Sequence, residues 1–540
     1  MNPICYSWPR SPGGGRHGRR PGRRETAAVC FFLWLFAASL PVFPGPSQPS
    51  DAPPLLAPND AKGLQEPLYH QAVVYLLRFR PDDVGQSVRL FNQILKFNKE
   101  FAPAYGGLAE ARALRYLWSW EPDPARMKQG LEEGRKGVEL APALAETHLG
   151  LGLAYMAAER YTPALAELDR AVSLDAGSFR AHLYRGMVLR GLRRNDDLGK
   201  EVAALIKIDP SAATAHALLG DYYQEVKDFT SARQAYLTGA MLDQKLLWPR
   251  LGLAASYQRG LNYTAAAKTY DATEADFPEE ISRTRIMAAS LLVATQNYED
   301  ALEIYETVEK DPVSPPLLRR LMLAGRAYSL EKLGGPEKAE FYWTRMVEEF
   351  PSDFDGAMRD REVFSQGFEA LFRYYEQKGD RKKASSLLSR ACRGEGMSFV
   401  LYRSLAARQI SAGDVRAAVA TLRRGIHGAP PGLDMVSASE APLAIWRSRA
   451  ARRPSSAEAR DRLQLLEELE ARLSREPSSS YVPYLNLARG EALLGRETEA
   501  LAFLRQAVDK GFTGTREAAK DSDFNSLSRN PDFRELTARP

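Results

Sequence analysis

Small residues recur at a fixed interval through the middle of the chain. Gly152, Gly186, Gly220 and Ala254 stand in matching apolar surroundings, each 34 residues after the one before. Two other sets of positions keep the same interval: His148, His182 and His216, and Tyr155, Leu189, Tyr223 and Tyr257. Strand-forming runs of Val, Ile and Thr are scarce, so the repeated unit is predicted to be helical. One such unit cannot bury its apolar face alone, and stacked units are expected to share a continuous core.

A unit of this length, with an L-G-x-x-Y phrase followed by A-x-x-x-F/Y, resembles the tetratricopeptide repeat (TPR). One of the units that carry the resemblance contains Leu219, Gly220, Tyr223, Phe229, Ala232, Tyr236 and Ala240. The resemblance implies an all-α fold, a right-handed superhelical solenoid of stacked antiparallel helix pairs. A small residue on the first helix lets the second helix approach closely. We therefore expect Gly152, Gly220 and Ala254 to be buried at helix crossings.

The pattern divides the chain into segments of different regularity. A signal peptide or membrane anchor is predicted at 1–44, a Pro-rich linker at 45–64, divergent TPR-like units at 65–143, TPR repeats at 145–351, degenerate repeats at 352–435, an irregular helical unit at 436–477, the last repeat at 478–512 and a capping tail at 513–540. In the tail, Phe524, Leu527, Phe533 and Leu536 are expected to cover the core of the last unit.

The N-terminus has the layout of an export signal. Six arginines from Arg10 to Arg24 precede the uncharged stretch Ala27–Leu40, which ends in small residues. This stretch is shorter than the roughly 18 to 20 apolar residues that span a bilayer. A cleaved signal is the first interpretation, and an anchor over residues 27–43 or another targeting segment is the alternative. The predicted location is extracytoplasmic, either periplasmic or secreted.

The net charge of +5 belongs to this N-terminal segment. Removing residues 1–44 takes away six basic residues and one acidic residue, which leaves 67 of each from totals of 73 and 68. A neutral remainder has no electrostatic footprint for a phosphate backbone, so no nucleic-acid partner is expected. The membrane is expected to be a partner only through an uncleaved N-terminus.

Residues that could carry chemistry are sparse. Cys392 is the one cysteine outside the first 44 residues, and it is expected to be a buried core residue. The in-phase histidines are too far apart to share one metal ion, because packed helices lie about 8 to 10 Å apart, so a packing role is expected. No phosphate-binding loop, zinc-protease motif or nucleophile elbow occurs. No catalytic residue, cofactor or metal is predicted, and a composite catalytic site is a distant alternative.

The TPR resemblance also implies a concave groove lined by the first helix of each pair. The residues expected to face it are Arg180, Arg190, Trp248, Arg283, Arg319, Arg326, Arg373 and Arg403. Guanidinium groups bind carboxylates with two parallel hydrogen bonds, so this row predicts an acidic protein or peptide partner. The alternative is that an arginine-rich chain places arginine on every exposed face. The function predicted from the sequence is a non-enzymatic scaffold or adaptor, and the second hypothesis is an accessory subunit of an envelope enzyme or transport complex.

Overall fold

The computed structural model describes residues 64–76, 81–117, 121, 123–310, 316–350, 358–393, 396–429, 433–448 and 456–538. The segment predicted as a signal or anchor at 1–44, and the linker at 45–64 except Leu64, lie outside the described residues. All regular secondary structure within the described ranges is helical. Among these helices, none combines the length and the hydropathy needed to cross a bilayer.

The helices follow one another as pairs joined by short turns. The N-terminal pairs are α1 (Gln65–Leu76) with α2 (Pro81–Phe97) and α3 (Ala102–Leu117) with α4 (Pro124–Leu140). The regular pairs are α5 (Ala145–Ala157) with α6 (Tyr161–Leu174), α7 (Phe179–Gly191) with α8 (Asn195–Ile208), α9 (Ala213–Glu225) with α10 (Phe229–Leu242), and α11 (Leu247–Arg259) with α12 (Tyr263–Asp276).

The later pairs are less regular in length. They are α13 (Ile281–Ala294) with α14 (Tyr298–Glu309), α15 (Pro316–Lys332) with α16 (Pro336–Glu348), α17 (Met358–Gln377) with α18 (Arg381–Ala391), and α19 (Phe399–Ser411) with α20 (Val415–His427). The chain then continues through α21 (Met435–Ser448), α22 (Ser456–Arg475), α23 (Val482–Leu493) and α24 (Glu497–Asp509), and ends in α25 (Thr515–Ala518), a 3₁₀ turn (Ser522–Leu527) and α26 (Pro531–Ala538).

The first helix of a pair packs against its own second helix and also against the first helix of the next pair. The two kinds of helix differ in burial. In α5 every residue from Thr147 to Ala154 is buried, whereas α6 buries only the stripe of Ala164, Leu165, Leu168 and Ala171. A helix that is buried all round lies inside a structure, and one with a single buried stripe lies at its outside. The chain is therefore an all-α solenoid with first helices inside and second helices outside, as the repeat pattern predicted.

Small residues at the helix crossings set the distance between the helices of a pair. A Cβ atom added to Gly220 would lie 2.5 Å from Cε1 of Tyr236, and one added to Gly152 would lie 2.7 Å from Cγ of Leu168. Ala254, at the same place in the next regular unit, is fully buried. The prediction that these three residues lie buried at helix crossings is confirmed.

The turn inside each regular unit contains a left-handed residue that is not glycine. Glu159, Arg193, Lys227 and Leu261 have φ angles of 58°, 55°, 65° and 60°, and each is 34 residues after the one before. The next unit has Gln296 at this turn, with a φ angle of 66°, and later units place Gly334, Gly379, Gly413 and Gly495 there. A residue with a Cβ atom costs about 1 to 2 kcal/mol in this conformation. The early units therefore keep side chains at a position where glycine is easier to accommodate.

The in-phase histidines join each unit to the turn before it. In His148 one ring nitrogen lies 2.9 Å from the carbonyl oxygen of Pro142, and the other lies 2.6 Å from Oε2 of Glu167. His182 makes the same pair of contacts one repeat later, with Ala176 and Glu201. His216 keeps the contact to the preceding turn, at Pro210. The expected structural role of these residues is confirmed, and it consists of hydrogen bonds as well as packing.

The C-terminal tail covers the end of the solenoid. Phe524, Leu527, Phe533 and Leu536 are all buried, as expected for a cap. The hydroxyl of Ser526 donates to the carbonyl oxygen of Ala492 in α23 over 2.8 Å. The last unit's core is thus closed from solvent by residues that follow it in the chain.

One carboxyl group is buried in this C-terminal part without full compensation. Glu491 in α23 is only 2% exposed, and Nε of Arg496 lies 3.4 Å from its Oε2. Burial raises the pKa of Glu491 to about 7, Arg496 opposes that shift, and Glu499, Glu470 and Glu467 add to it. Because the folded chain holds this proton more tightly than the unfolded chain does, stability falls as pH rises from about 4.5 to about 7.

The glycine at a crossing should not tolerate even one methyl group. We expect Gly220→Ala to lower the free energy of unfolding by about 1 to 3 kcal/mol, because the new Cβ overlaps the Tyr236 ring. The matched control is Gly85→Ala in α2, where no atom lies within 4 Å of the added Cβ. That change should stabilise the chain by about 0.5 to 1 kcal/mol. Urea unfolding followed by circular dichroism measures the free energy of unfolding of both variants. Equal changes in the two variants would contradict the close contact between Gly220 and Tyr236.

The buried carboxyl group should make stability depend on pH. Glu491→Gln removes the ionisation, so the variant should gain about 1 to 3 kcal/mol over the parent at pH 8 and much less at pH 5. Urea unfolding at both pH values measures the difference, with hydrogen exchange of α23 as the local readout. If the free energy of unfolding changes by the same amount between the two pH values in parent and variant, Glu491 is not responsible for the pH dependence.

Candidate binding site on the first helices

The eight residues predicted to line a groove all lie on first helices of their pairs. Arg180 and Arg190 belong to α7, Trp248 to α11, Arg283 to α13, Arg319 and Arg326 to α15, Arg373 to α17, and Arg403 to α19. These helices form the inside of the solenoid. The structure divides the eight into three groups that differ in exposure and in partner.

Four of the eight are buried, which corrects the expectation of one open row. Arg190, Trp248 and Arg283 are 5%, 1% and 3% exposed, and Arg326, which is held by carboxylates as Arg180 is, is 8% exposed. Burial lowers the pKa of Arg283, and Glu280 opposes this shift. The physical reason is that neighbouring helices enclose the first helices at these positions, so that side chains expected to face an open groove are drawn into the interior.

Arg190 and Trp248 share one carboxylate. Asp221, in α9, is completely buried and accepts hydrogen bonds from the Arg190 guanidinium and from Nε1 of Trp248, the latter at 3.1 Å. The hydroxyl of Tyr236 donates to the other oxygen of Asp221 over 2.5 Å. Burial and this carboxylate raise the pKa of Tyr236 well above its usual value. Asp221 therefore ties α7, α9, α10 and α11 together.

Two further arginines of the predicted row are held by carboxylates of the chain. Nη1 of Arg180 donates to Oε2 of Glu110, in α3, over 2.8 Å. Arg326 donates to Glu309 and to Glu306, and its guanidinium lies 4.4 Å from the ring centroid of Tyr342. In the state described, both arginines are engaged within the chain.

The remaining three arginines are open to solvent. Arg319 and Arg373 have side chains that are 43% and 59% exposed, and Arg403 is exposed as well. They lie on α15, α17 and α19, three consecutive first helices. We refer to Arg319, Arg373 and Arg403 as the basic stripe. Its role in binding stays a prediction.

Sequence reasoning missed Arg259, which lies half-buried at the end of α11. Its Nη1 donates to the carbonyl oxygen of Gln224, one turn after Asp221 on α9. Burial, with the charges of Arg190 and Arg193, lowers the pKa of Arg259 to about 9, and Tyr236 and Asp221 oppose this shift.

The solenoid is closed on itself by contacts between distant units. Arg193, in the turn after α7, donates to Glu362 of α17 over 2.7 Å, across 169 residues of sequence. Arg320 of α15 donates to Glu159, in the turn after α5, across 161 residues. We call these two ion pairs the closure. No pattern in a single sequence marks them, because each joins units that are five repeats apart.

Other groups gather around the closure. The guanidinium of Arg320 lies 5.3 Å from the ring centroid of Phe364, and its Nε lies 3.6 Å from an oxygen of Glu349. Burial raises the pKa of Tyr116, at the end of α3, and Glu159 adds to the shift. The closure is thus a partly buried junction of α15 and α17 with the turns after α5 and α7.

Within the residues that the structure describes, no group of three His, Cys, Asp or Glu side chains is placed to hold a metal ion. Cys392 is buried, and burial raises the pKa of its thiol to about 12, while Arg424 opposes this shift.

The buried pair of Arg190 and Asp221 should be coupled in stability. We expect Asp221→Asn to lower the free energy of unfolding by about 3 to 5 kcal/mol, because it leaves Arg190 buried without its counter-charge. The double variant with Arg190→Met should lose less than the two single changes together. Urea unfolding of the four chains measures this coupling, and additive losses would exclude the shared network.

No protein-family model matches the chain, and neither does any curated protein sequence. Solved structures are similar to it at low identity. Yeast Tom70 is 16% identical, with 64% of this chain and 70% of that chain covered and a TM-score of 0.40. A tetratricopeptide repeat protein from Parabacteroides merdae is 15% identical, with 49% and 98% covered and a TM-score of 0.37. A human IFIT1 dimer with m7Gppp-AAAA is 11% identical, with 84% and 95% covered and a TM-score of 0.35.

The fold is established by the chain's own geometry. Its regular units are helix pairs that repeat every 34 residues, with small residues at the crossings and first helices stacked on first helices. By this geometry the chain is a tetratricopeptide-repeat solenoid.

Proposed function

We propose that this chain is a non-enzymatic interaction scaffold that holds a protein partner by an acidic segment. The observation that carries the proposal is the basic stripe. Arg319, Arg373 and Arg403 remain exposed on three consecutive first helices, whereas the buried and internally bound arginines of the predicted row are engaged within the fold.

The ion pairs that the stripe makes within the chain are weak enough to be replaced. The Arg319 guanidinium lies 2.9 Å from Glu349 and that of Arg373 lies 3.8 Å from Glu331, and the two arginine side chains are 43% and 59% exposed. Exposed pairs of this kind contribute about 0 to 1 kcal/mol. No carboxylate in the described part of the chain forms an ion pair with Arg403. Carboxylates of a partner can therefore bind here at little cost to the scaffold.

The placement of the stripe favours an extended ligand with repeated carboxylates. Neighbouring packed helices lie about 8 to 10 Å apart, and an extended chain advances about 3.3 Å per residue. Arg319, Arg373 and Arg403 stand 15, 6 and 10 residues before the left-handed glycine of their own turn, so they are also offset along the helix axes. A segment with several acidic residues would therefore meet successive arginines, with guanidinium–carboxylate pairs as the specific contacts.

The export prediction adds a location to this proposal. The basic segment and apolar stretch at the N-terminus support work outside the cytosol, either after cleavage or from an anchor at residues 27–43. A scaffold in that position would present the basic stripe to an extracytoplasmic partner.

Charge reversal of the stripe tests the proposal. The probe is a fluorescein-labelled peptide with glutamate at every third position, and its binding to the full chain is measured by fluorescence anisotropy. We expect Arg373→Glu with Arg403→Glu to weaken binding at least about tenfold, which corresponds to about 1.4 kcal/mol. A peptide with glutamine in place of glutamate should not bind.

The matched control is Arg170→Glu with Arg416→Glu. Both arginines are exposed, and both lie on second helices, α6 and α20, at the outside of the solenoid. This variant has the same change in net charge and should bind the probe like the parent. If both double variants weaken binding equally, the effect is one of net charge and the stripe is not the site.

A further inference from the structure

The closure uses side chains at backbone positions where glycine is easier to accommodate. Glu159 and Arg193 are the left-handed turn residues of two consecutive repeats, with φ angles of 58° and 55°. Lys227 and Leu261 hold the same position in the next two repeats, where both are exposed. Glu159 and Arg193 are thus the two members of this series that reach across to α15 and α17.

Both contacts of the closure are partly shielded from water. The side chains of Arg193 and Glu362 are 16% and 15% exposed, and that of Arg320 is 7% exposed. Arg320 also stacks on the buried ring of Phe364. Ion pairs in such surroundings are screened less by salt than pairs at an open surface. They are suited to hold two distant units together.

The closure occupies two guanidinium groups and leaves the core of the early units to their own packing. Leu149, Leu153 and Met187, on the inner helices α5 and α7, are buried in a core formed by residues of the early units. Opening the two ion pairs would therefore leave that core in place and make the guanidinium groups of Arg193 and Arg320 accessible to a partner.

We propose that the closure is an autoinhibitory contact, in which Glu159 and Glu362 occupy a second site for the acidic segment of a partner. The site consists of Arg193 and Arg320, and its ligand is a pair of carboxylates. This inference rests on the proposed function, since it assumes a partner with an acidic segment. It goes beyond that function because it assigns different arginines and adds a closed and an open state.

The charges support exchange between the chain's own carboxylates and those of a partner. Arg320 faces Glu159 and Glu349, and Arg193 faces Glu362. A carboxylate from a partner would make the same guanidinium contacts as Glu159 or Glu362. The apparent affinity for such a segment is reduced by the fraction of chains that are closed. Removing the internal carboxylates should therefore raise the affinity.

The test removes the carboxylates and keeps the arginines. The variant is Glu159→Gly with Glu362→Gln in the full chain, and glycine at position 159 also suits the left-handed backbone. We expect a larger radius of gyration by small-angle X-ray scattering. Binding of the glutamate peptide should tighten at least about tenfold, the change expected when nine tenths or more of the parent is closed.

A second variant separates the new site from simple opening. Arg193→Gly with Arg320→Met also breaks the closure, but it removes the proposed ligands. It should show the larger radius without the gain in affinity. Lys227→Gly, at the same turn position one repeat later, should change neither quantity. Helical circular dichroism and urea midpoints check that all the variants fold.

Each outcome decides between the claims. If the radius of gyration is unchanged in both closure variants, the two ion pairs do not hold the distant units together. A larger radius with no gain in affinity for Glu159→Gly with Glu362→Gln would overturn the second site. The basic stripe is intact in all these variants. Failure of the proposed function would appear separately, as probe binding that does not depend on Arg373 and Arg403.

Discussion

A charged group enclosed in a helical solenoid needs a partner, because the desolvation of an unpaired guanidinium costs several kcal/mol. That constraint shapes the inside of this molecule. Asp221 binds Arg190, Glu110 binds Arg180, and Glu309 binds Arg326, each joining helices that are not neighbours in a single hairpin. The same need for counter-charge extends between distant units at Arg193 and Arg320. Neutralisation of arginine thus fixes local packing and closes the superhelix.

Repetition made the core predictable from the sequence. Gly152, Gly220 and Ala254 mark helix crossings because the packing at each crossing is local and recurs every 34 residues. The capping residues Phe524, Leu527, Phe533 and Leu536 were also predicted, since an end cap needs apolar residues directly after the last unit. The hydrogen bonds of the histidines were not predicted. The sequence did contain a pattern that indicates them, because Glu167 and Glu201 follow His148 and His182 by 19 residues each.

The candidate site was only partly predictable, for a different reason. The sequence placed the eight residues on first helices correctly, but it could not show which of them are exposed. The burial of Arg190 and Trp248 depends on Asp221 and on the enclosing helices, and that of Arg283 on the helices around it and on Glu280. A contact across more than 160 residues leaves no trace in the phase of a repeat. The open arginines of the basic stripe could therefore be separated from the buried ones only in the folded chain.

A distance measured across the closure tests most directly whether the superhelix is closed. Spin labels at Arg160 and Glu348, which are exposed beside the two sides of the closure, allow pulsed electron resonance on the full chain. The account predicts a narrow distribution at the short end of the range that the method measures. A broad distribution centred at long distances would contradict it, because the two units would then not be held together.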